Sequence, residues 1–398
     1  MKVFFLPDYF SFYILSAHLS FALLARELFF ISSKALIPQL LFTGDAFLED
    51  HAVLVEDGMI RDVLPVSMLP VGIQQDAYPD SLLVPAFIDL QIYGASGKLL
   101  AVFPHTDSLH ALNQFCNDGG AAFCMPTVAT NETSVFLQCI DAVRDYWQQG
   151  GKGILGLHIE GPWINKAKRG AHIESLIHAP ATDEVRSLLN YGKGVIRIIT
   201  LAPEVCSQEV IDLILSYGVT IFAGHSNASY EEAMHSFGKG VSAVTHLYNA
   251  MSPLQHRMPG LVGAAFDHPS VMASIIADGH HVDFAAIRIA KKIMGDRLFA
   301  ITDAVTQTSA GYYKHQFAGD KYTAGGILSG SALTMYQAYL NLVSHAGIDQ
   351  AEALRMCSLY PAKAIGMDHE LGRIATGFIS SLALLPLNHS KESIRVLY

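Results

Sequence analysis

The chain has 398 residues, of which 51% are hydrophobic and 16% are charged, and its formal net charge at pH 7 is −10. A chain of this length can bury a large core and hold one large domain beside a smaller one. The acidic balance excludes a broadly basic nucleic-acid-binding surface, although a few local basic side chains could still hold one small anion.

Residues 1–33 form an aromatic, apolar segment that is interrupted by charged residues such as Asp8, Arg26 and Glu27. A signal peptide has a basic start, an uninterrupted apolar stretch and a cleavage site with small residues. We therefore interpret the segment as an accessory extension or the product of an upstream start, with a signal anchor as the alternative. The globular protein is expected to begin at Lys34, with no membrane contact unless residues 1–33 are a genuine anchor.

Short alternating segments separated by turn residues fill residues 34–84, and the same pattern returns in residues 370–398. Alternation of apolar and polar residues over such short runs predicts β-strands. Because both ends of the chain show the pattern, we predict that they join in one small β-sandwich domain. Residues 85–369 would then form the larger domain between them.

Apolar runs, most of them followed by an amphipathic segment, occupy the middle of the chain. Continuous apolar strands that alternate with helices are typical of a parallel sheet covered on both faces. Eight such runs predict an α/β fold, a (β/α)₈ TIM-like barrel. A doubly wound sheet is the alternative, but no G-x-G-x-x-G motif follows the first run. The predicted strands lie within residues 82–94, 120–130, 153–162, 194–204, 218–226, 241–250, 271–281 and 297–305.

Ionisable residues cluster at the carboxyl ends of these runs, where such a barrel has its active site. Glu160 ends the third run, His225 the fifth and His246 the sixth. Two imidazoles and one carboxylate are a suitable ligand set for a catalytic metal ion that keeps one open position. Asp303, at the end of the eighth run, would face the metal and act as a general base.

Each of these residues also has a structural interpretation. A single histidine at a strand end is commonly a hydrogen-bonded structural residue, Asp303 could cap a helix, and Glu160 could order the loop that follows it. Separate structural roles for all of these residues, at corresponding positions of several strands, are a less simple explanation than one shared site. The strand ends therefore predict a metal centre.

The chain contains the motifs HIEGPWINKAKRGAH, GHSNASYEEA, THLYNAMSPLQHRMPGLVGAAFD, IADGHHVD, ITDAV and LSGSALTM. Together they resemble the N-acetylglucosamine-6-phosphate deacetylases of the amidohydrolase superfamily. The resemblance runs from about Lys34 to about Gly372, in the order of the family's motifs. It implies metal-dependent hydrolysis of the acetamide of N-acetylglucosamine 6-phosphate, a small amino-sugar phosphate, by a homodimer.

The resemblance also implies roles for individual residues. Glu160, His225 and His246 take the family's metal positions, and Asp303 takes that of the catalytic aspartate. His172 is expected to polarise the acetamide carbonyl, with a solvent-facing loop position as the alternative. The expected substrate contacts are Gln91, Ala171, Asn249, Ala250, Arg257, His281, Ser329, Gly330 and Ser331.

The sequence predicts how Arg257 and the segment Ser329–Ser331 would contact the substrate. Arg257 is the predicted phosphate ligand because its guanidinium fork matches phosphate oxygens. It lies in the long loop after the sixth run and could act in its own subunit or in that of a partner. Ser329–Ser331 are expected to line the pocket with backbone groups at the start of a helix.

The metal count is predicted from the segment Asp89-Leu90-Gln91-Ile92-Tyr93. Many amidohydrolases have H-x-H here, and the two histidines help to hold a second metal. Gln91 and Tyr93 are poor replacements for imidazoles, and relatives with one metal usually have Asn in place of Tyr93. One divalent metal per subunit is therefore expected, with Zn²⁺ preferred and Fe²⁺, Mn²⁺ or Co²⁺ as alternatives.

The cysteines indicate the compartment. The five are scattered, and none forms a C-x-x-C pair, which is typical of a reduced, cytoplasmic protein.

Two other functions compete with deacetylation of this substrate. An amidohydrolase acting on another N-acyl sugar or on a cyclic amide would not need Arg257. A catalytically silent sugar-phosphate sensor would have no reason to keep Asp303 beside a full set of metal ligands.

Overall fold

The computed structural model describes residues 33–388 and 394–398. Apart from Ser33, the apolar extension predicted for residues 1–33 lies outside the described residues. Within the described part of the chain, no helix combines the length and the apolar character that crossing a bilayer requires.

The strands, in chain order, are β1 (Lys34–Phe42), β2 (Phe47–Glu49), β3 (His51–Glu56), β4 (Met59–Pro65), β5 (Gln74–Pro85), β6 (Phe87–Ile92), β7 (Gly94–Ala95), β8 (Lys98–Leu99), β9 (Ala121–Ala129), β10 (Leu157–Glu160), β11 (Ile196–Leu201), β12 (Thr220–Ala223), β13 (Ala243–Val244), β14 (Met272–Ile276), β15 (Leu298–Ile301), β16 (Gln316–Phe317), β17 (Lys321–Ala324), β18 (Ile327–Ser331), β19 (Leu382–Pro386) and β20 (Arg395–Leu397). The α-helices are α1 (Thr106–Asp118), α2 (Thr133–Gln148), α3 (Thr182–Tyr191), α4 (Gln208–Ser216), α5 (Tyr230–Phe237), α6 (Gly260–Asp267), α7 (Phe284–Met294), α8 (Met335–Ser344), α9 (Gln350–Cys357) and α10 (Leu359–Ala364).

The barrel consists of β6 and β9–β15, which pair in parallel in chain order. Each of the eight predicted runs contains one of these strands, so the predicted (β/α)₈ barrel is confirmed. The sheet closes between its first and last strands: Ile92 pairs with Ala304, and the Asp303 amide donates to the Gln91 carbonyl oxygen at 2.9 Å. This closure brings the end of the eighth strand beside the end of the first.

The apolar runs form strands because the barrel buries them on both faces. Every residue of β6, β10 and β14 is buried, as expected for parallel strands between a filled interior and a layer of helices. Several helices begin where a polar capping residue stands just before a stretch whose apolar residues recur with helical spacing. Ser229 and Glu232, for example, form a capping box at the start of α5, which satisfies backbone N–H groups that the helix leaves unpaired.

The two ends of the chain join in one small β domain, as predicted. Its seven strands form a single sheet in the order β20-β19-β5-β1-β3-β4, with β2 paired to β1. The N- and C-terminal segments meet where β19 runs antiparallel to β5. A separate hydrophobic core, which includes Leu36, Ile60 and Leu384, stabilises this domain.

A three-stranded hairpin sheet, β16–β18, follows the last barrel strand. It is attached to the barrel at β18, where the Ser331 amide donates to the Asp303 carbonyl oxygen at 3.0 Å. Ser329–Ser331 therefore lie on a strand, and the predicted helix start was wrong at these residues. Helix α8 begins only at Met335, with Thr334 as its N-cap.

Candidate active site

The strand-end residues Glu160, His225, His246 and Asp303 line one cavity of about 200 Å³ at the carboxyl end of the barrel. All four side chains are at least nine-tenths buried. They come from four different strands, so only closure of the barrel brings them together. The position matches the mouth at which (β/α)₈ enzymes carry their active sites.

Three of these residues share an unusual backbone conformation. His225, His246 and Asp303 each stand two residues after the end of their strand, with φ of 49°, 36° and 53°. Residues other than glycine rarely adopt this left-handed region, and each instance costs about 1–3 kcal/mol. The fold thus holds a histidine or an aspartate in a strained conformation at three corresponding strand ends. Strained backbone of this kind is typical of functional sites.

The spacing of three ligand atoms fits a metal ion. His246 Nε2 lies 3.1 Å from Glu160 Oε1 and 3.1 Å from His225 Nε2, and His225 Nε2 lies 3.4 Å from Glu160 Oε1. Atoms that bind zinc tetrahedrally at 2.0–2.1 Å are themselves about 3.3 Å apart. One carboxylate oxygen and two imidazole nitrogens at this spacing could therefore hold a single ion without rearrangement.

The tautomer of His225 is set by its second nitrogen. Nδ1 lies 2.9 Å from the carbonyl oxygen of Lys168, so it carries the proton and donates. The lone pair of Nε2 then faces the cavity, as a metal-ligating histidine requires. The basic loop that follows β10 thereby has a role through its backbone, which sequence reasoning had not assigned to Lys168.

His172 is buried beside the same carboxylate. Its Nε2 lies 3.3 Å from Glu160 Oε2, and its Nδ1 lies 2.7 Å from Thr130 Oγ1. The alternative of a solvent-facing loop residue is therefore wrong. Burial lowers the pKa of His172 to about 4, which keeps the ring neutral at pH 7. Glu160, His172 and His225 also form a possible ligand set, but His246 Nε2 lies 3.1 Å from both Glu160 Oε1 and His225 Nε2.

Glu160 and Asp303 have pKa values that are shifted in opposite directions. Burial alone would raise the pKa of Glu160, but hydrogen bonds with His172, His225 and His246 hold it well below its usual value. Burial raises the pKa of Asp303 well above its usual value, and the charge of Glu160 raises it further. A permanently ionised carboxylate beside one that readily holds a proton is the usual division between ligand and acid–base group.

Gly161, directly after Glu160, is required by its surroundings. Its φ is +75°, and a Cβ atom would lie 2.2 Å from Thr130 Oγ1, the atom that contacts His172. Thr130 cannot easily move aside, because it is fully buried and β-branched side chains have few rotamers. The glycine therefore lets the chain leave β10 without displacing the partner of His172.

We expect Gly161→Ala to lower the free energy of unfolding by more than the matched change Gly150→Ala. Gly150 has a similar φ of +81° but nothing within 4 Å of a Cβ atom, so it reports the backbone cost alone, about 1–2 kcal/mol. The clash at Gly161 should add about 1–3 kcal/mol. Urea unfolding of both variants measures the difference, and equal losses would show that Thr130 yields without cost.

The predicted substrate contacts divide into three groups. Ala171, Asn249, Ala250, His281, Ser329 and Gly330 line the cavity. Two others support the wall: Gln91 donates from Nε2 to Glu160 Oε1 at 3.1 Å, and the buried Ser331 hydroxyl donates to the Thr302 carbonyl oxygen at 2.5 Å. Arg257 is exposed on its loop and does not line the cavity of its own chain.

Sequence reasoning missed several residues of the wall. Tyr93 was weighed only as a substitute for a metal ligand, yet its hydroxyl donates to Glu160 Oε2. Tyr313 donates to the Thr130 carbonyl oxygen at 2.7 Å, and His315 lies 2.9 Å from Ser329 Oγ. Tyr313 and His315 both lie just before the hairpin sheet, which begins at Gln316, where no strand-end pattern marks them, so the sequence carried no signal for their position.

Known proteins share both parts of this chain. A model of the amidohydrolase family matches residues 82–397, and a model described as the NagA composite domain matches residues 35–77. The N-acetylglucosamine-6-phosphate deacetylase of Haemophilus influenzae is 33% identical over 89% of this chain and 96% of its own length. The N-acetylgalactosamine-6-phosphate deacetylase of Escherichia coli O157:H7 is 31% identical over 87% of this chain and 93% of its own.

A solved structure has the same fold. The crystal structure of N-acetylglucosamine-6-phosphate deacetylase from Pasteurella multocida superposes with a TM-score of 0.86 at 33% sequence identity. The match covers 92% of this chain and 97% of the other. Both the barrel and the small β domain are thus part of the similarity.

Proposed function

Because this chain belongs to the amidohydrolase family, we propose that it hydrolyses the acetamide of N-acetylglucosamine 6-phosphate to glucosamine 6-phosphate and acetate. The main support is the site itself, in which a His₂Glu ligand set and a separate, buried aspartate line one cavity. Relatives that match nearly the whole chain carry the names of amino-sugar-phosphate deacetylases. A sensor would not need Asp303, whose Oδ1 has no hydrogen-bond partner among the described residues.

We propose one divalent metal ion per subunit, with Zn²⁺ preferred, held by Glu160 Oε1, His225 Nε2 and His246 Nε2. Such an ion supplies a Lewis acid that polarises the acetamide carbonyl and lowers the pKa of water. The residues fit the ion because the three atoms already stand 3.1–3.4 Å apart, and the hydrogen bond of His225 Nδ1 leaves Nε2 free to bind.

Asp303 acts first as a base and then as an acid. Its carboxylate takes a proton from the attacking water as the water oxygen bonds to the carbonyl carbon. It then gives that proton to the amide nitrogen as the carbon–nitrogen bond breaks, which releases acetate and the amine. The raised pKa that burial gives Asp303 suits both transfers, since the group must hold the proton between them.

His172 donates to the carbonyl oxygen while negative charge develops there. For this role the ring proton stands on Nε2, the nitrogen beside Glu160, and Nδ1 accepts from the Thr130 hydroxyl, whose oxygen lies 2.7 Å away. A neutral donor in a buried site stabilises such charge strongly. Burial keeps His172 neutral. A neutral ring forms no ion pair with Glu160, so the carboxylate stays available to the metal.

The remaining wall binds the sugar and its phosphate. Asn249, Ala250, His281, Ser329 and Gly330 offer backbone and side-chain contacts on the cavity surface. The ring of His281 is oriented by Asp278, with 2.6 Å between Nδ1 and Oδ2. We propose that Ala171 contacts the substrate directly, while Gln91 and Ser331 act through the residues they hold.

We propose a homodimer in which Arg257 reaches the active site of the partner. Arg257 lies on an exposed loop directly after the cavity-lining Asn249 and Ala250, beside the exposed apolar side chains of Leu254 and Met258. Exposed apolar residues around an arginine are typical of an interface centre.

The five cysteines are all free thiols, which supports the proposed cytoplasmic location.

We expect Arg257→Ala to raise KM for the phosphorylated substrate at least tenfold with little change in kcat. The reason is that the contact between Arg257 and the phosphate is lost equally from the bound substrate and from the transition state. Arg186→Ala, which changes another exposed arginine, is the control. Mixing Arg257→Ala with Asp303→Asn subunits then tests the partner's role. The KM of the hybrid should return to the wild-type value if Arg257 acts across the interface, and should stay raised, as in Arg257→Ala alone, if it acts within its own chain.

The deciding experiment for the function is acetate release by the full chain from N-acetylglucosamine 6-phosphate, with unphosphorylated N-acetylglucosamine and N-acetylgalactosamine 6-phosphate alongside. Release from the first sugar far above that from the unphosphorylated one supports the proposal. Preference for the galactose epimer would move the assignment towards the function named for the Escherichia coli relative. Release from none of the three, by folded protein containing metal, would refute an amino-sugar deacetylase.

A further inference from the structure

Glu204 lies just beyond the carboxyl end of β11, in the single 3₁₀ turn Pro203–Val205. Its half-buried side chain accepts three hydrogen bonds. Asn165 Nδ2 donates to Oε1 at 3.0 Å, the Asn227 amide donates to Oε1 at 2.6 Å, and the Ser226 hydroxyl donates to Oε2 at 2.7 Å. All three donors are neutral, and a carboxylate suits them because it only accepts. Glu204 therefore joins the loop after β10 to the turn after β12 at the mouth of the barrel.

Two of these donors directly follow a proposed metal ligand. Ser226 and Asn227 come after His225, whose φ of 49° lies in the left-handed region that is costly for residues other than glycine. The Ser226 side chain is fully buried, so its hydroxyl cannot exchange Glu204 for bulk water. The contacts with Glu204 therefore oppose relaxation of the strained turn that directs the His225 ring into the cavity.

The third donor reaches His225 from the other side. The backbone amide of Asn165 donates to the His225 carbonyl oxygen at 2.9 Å. The side-chain oxygen of Asn165 accepts the Ala167 amide at 2.9 Å, which caps the short turn that ends at Lys168. The carbonyl oxygen of Lys168 in turn accepts from His225 Nδ1. Since Ala167 occupies the side-chain oxygen of Asn165, the amide group is oriented with Nδ2 towards Glu204.

We propose that Glu204 is a positioning residue for the metal centre. It holds the ring of His225 through the turn that follows this residue and through the loop whose Lys168 carbonyl sets its tautomer. Glu204 does not line the cavity, so its effect on the metal passes through these contacts. The same loop continues to His172, whose amide donates to the Arg169 carbonyl oxygen at 2.9 Å. This inference rests on the proposed function, since it assigns a role within the same metal centre.

Glu204→Ala removes the acceptor of all three hydrogen bonds. We expect Zn²⁺ to bind about 10–100-fold more weakly, as is usual when an outer partner of a metal ligand is lost. Zinc affinity is measured by competition with a chelator on the metal-free full chain. Binding as tight as in wild type would overturn the inference.

Glu204→Gln is the conservative variant that tests whether hydrogen bonds carry the effect. Its amide oxygen can still accept from Asn165 and Asn227, and its amide nitrogen can donate to the Ser226 hydroxyl oxygen. We expect zinc affinity within about threefold of wild type, because neutral hydrogen bonds of the same geometry replace charge-assisted ones. Binding as weak as in Glu204→Ala would overturn positioning through these contacts.

Ser226→Ala keeps the test open if Glu204→Ala does not fold, since it deletes a single oxygen atom. With one of three donors removed, zinc should bind about 3–10-fold more weakly. An unchanged zinc affinity in this variant would contradict the inference.

Glu352→Ala is the matched control for loss of a carboxylate with three donors. Glu352, on α9, accepts from Lys291 Nζ at 2.6 Å, Arg355 Nη1 at 2.5 Å and the Tyr360 hydroxyl at 3.0 Å, and it does not line the cavity. Its loss should lower the free energy of unfolding and leave zinc affinity unchanged. A similar weakening of zinc binding would show that affinity follows general stability, and the inference would fail. Because zinc affinity is measured without substrate, these results separate the inference from the proposed reaction.

Discussion

Asp303→Asn is expected to lower kcat for N-acetylglucosamine 6-phosphate by about 10²–10⁴-fold, the usual range for loss of a general acid–base group. The amide has nearly the same shape as the carboxylate, so binding should change little, but it cannot accept a proton at neutral pH. The metal should remain bound, because the three ligand atoms belong to Glu160, His225 and His246. Acetate release and zinc content, measured on the same preparation, check both parts.

The control for this variant is Asp320→Asn. Asp320 is exposed and pairs with His280 at 2.8 Å, outside the cavity wall, so kcat should stay close to the wild-type value. Loss of zinc together with activity in Asp303→Asn would instead make Asp303 a metal ligand. Retained activity would remove it from the mechanism and leave the proton transfers to another group.

Removal of the metal should abolish acetate release, and added Zn²⁺ should restore it. Without the ion, nothing polarises the acetamide carbonyl as a Lewis acid. The pKa of the attacking water also stays at its ordinary value, and such water is too weak an acid to give its proton to Asp303 at neutral pH. Glu160→Gln should have the same effect permanently, since it removes the only charged ligand. Activity before and after chelation, in wild type and variant, provides the measurement.

Metal removal should also lower stability. A ligand that binds only the folded state contributes about 4 kcal/mol when its free concentration is 1,000 times Kd. Thermal unfolding of the wild type should therefore shift to lower temperature on chelation, whereas Glu160→Gln should show little shift. Full activity and an unchanged melting temperature in the metal-free wild type would contradict a metal-dependent mechanism and leave the His₂Glu cluster as a structural hydrogen-bond network.

The barrel was predictable from the sequence because its causes are local. A strand buried on both faces must be apolar along its length, and eight such runs with helical spacing between them leave few other folds. The same logic located the candidate ligands: a parallel barrel places all carboxyl strand ends at one mouth, so Glu160, His225 and His246 could be grouped without knowing any distance.

The tertiary structure decided what depends on contacts between distant segments. The hydroxyl of Tyr93 meets Glu160 because the barrel brings the ends of its first and third strands to one mouth, although the second strand separates them in the sheet. The hairpin sheet brings His315 to the cavity and puts Ser331 on a strand. The exposed position of Arg257 likewise follows from the path of its loop, which no local pattern specifies.

The sequence by itself therefore determined the eight-stranded barrel, the small domain built from both chain ends, and the residue types at the mouth. Burial determines these features because it imposes a periodic pattern of apolar residues on the sequence. Only the tertiary structure decided which oxygen of Glu160 faces the histidines, which nitrogen of His225 is free, and that the hydroxyl of Tyr93 donates to Glu160. Those details depend on distances of a few ångströms between residues far apart in the chain, and periodicity holds no information about them.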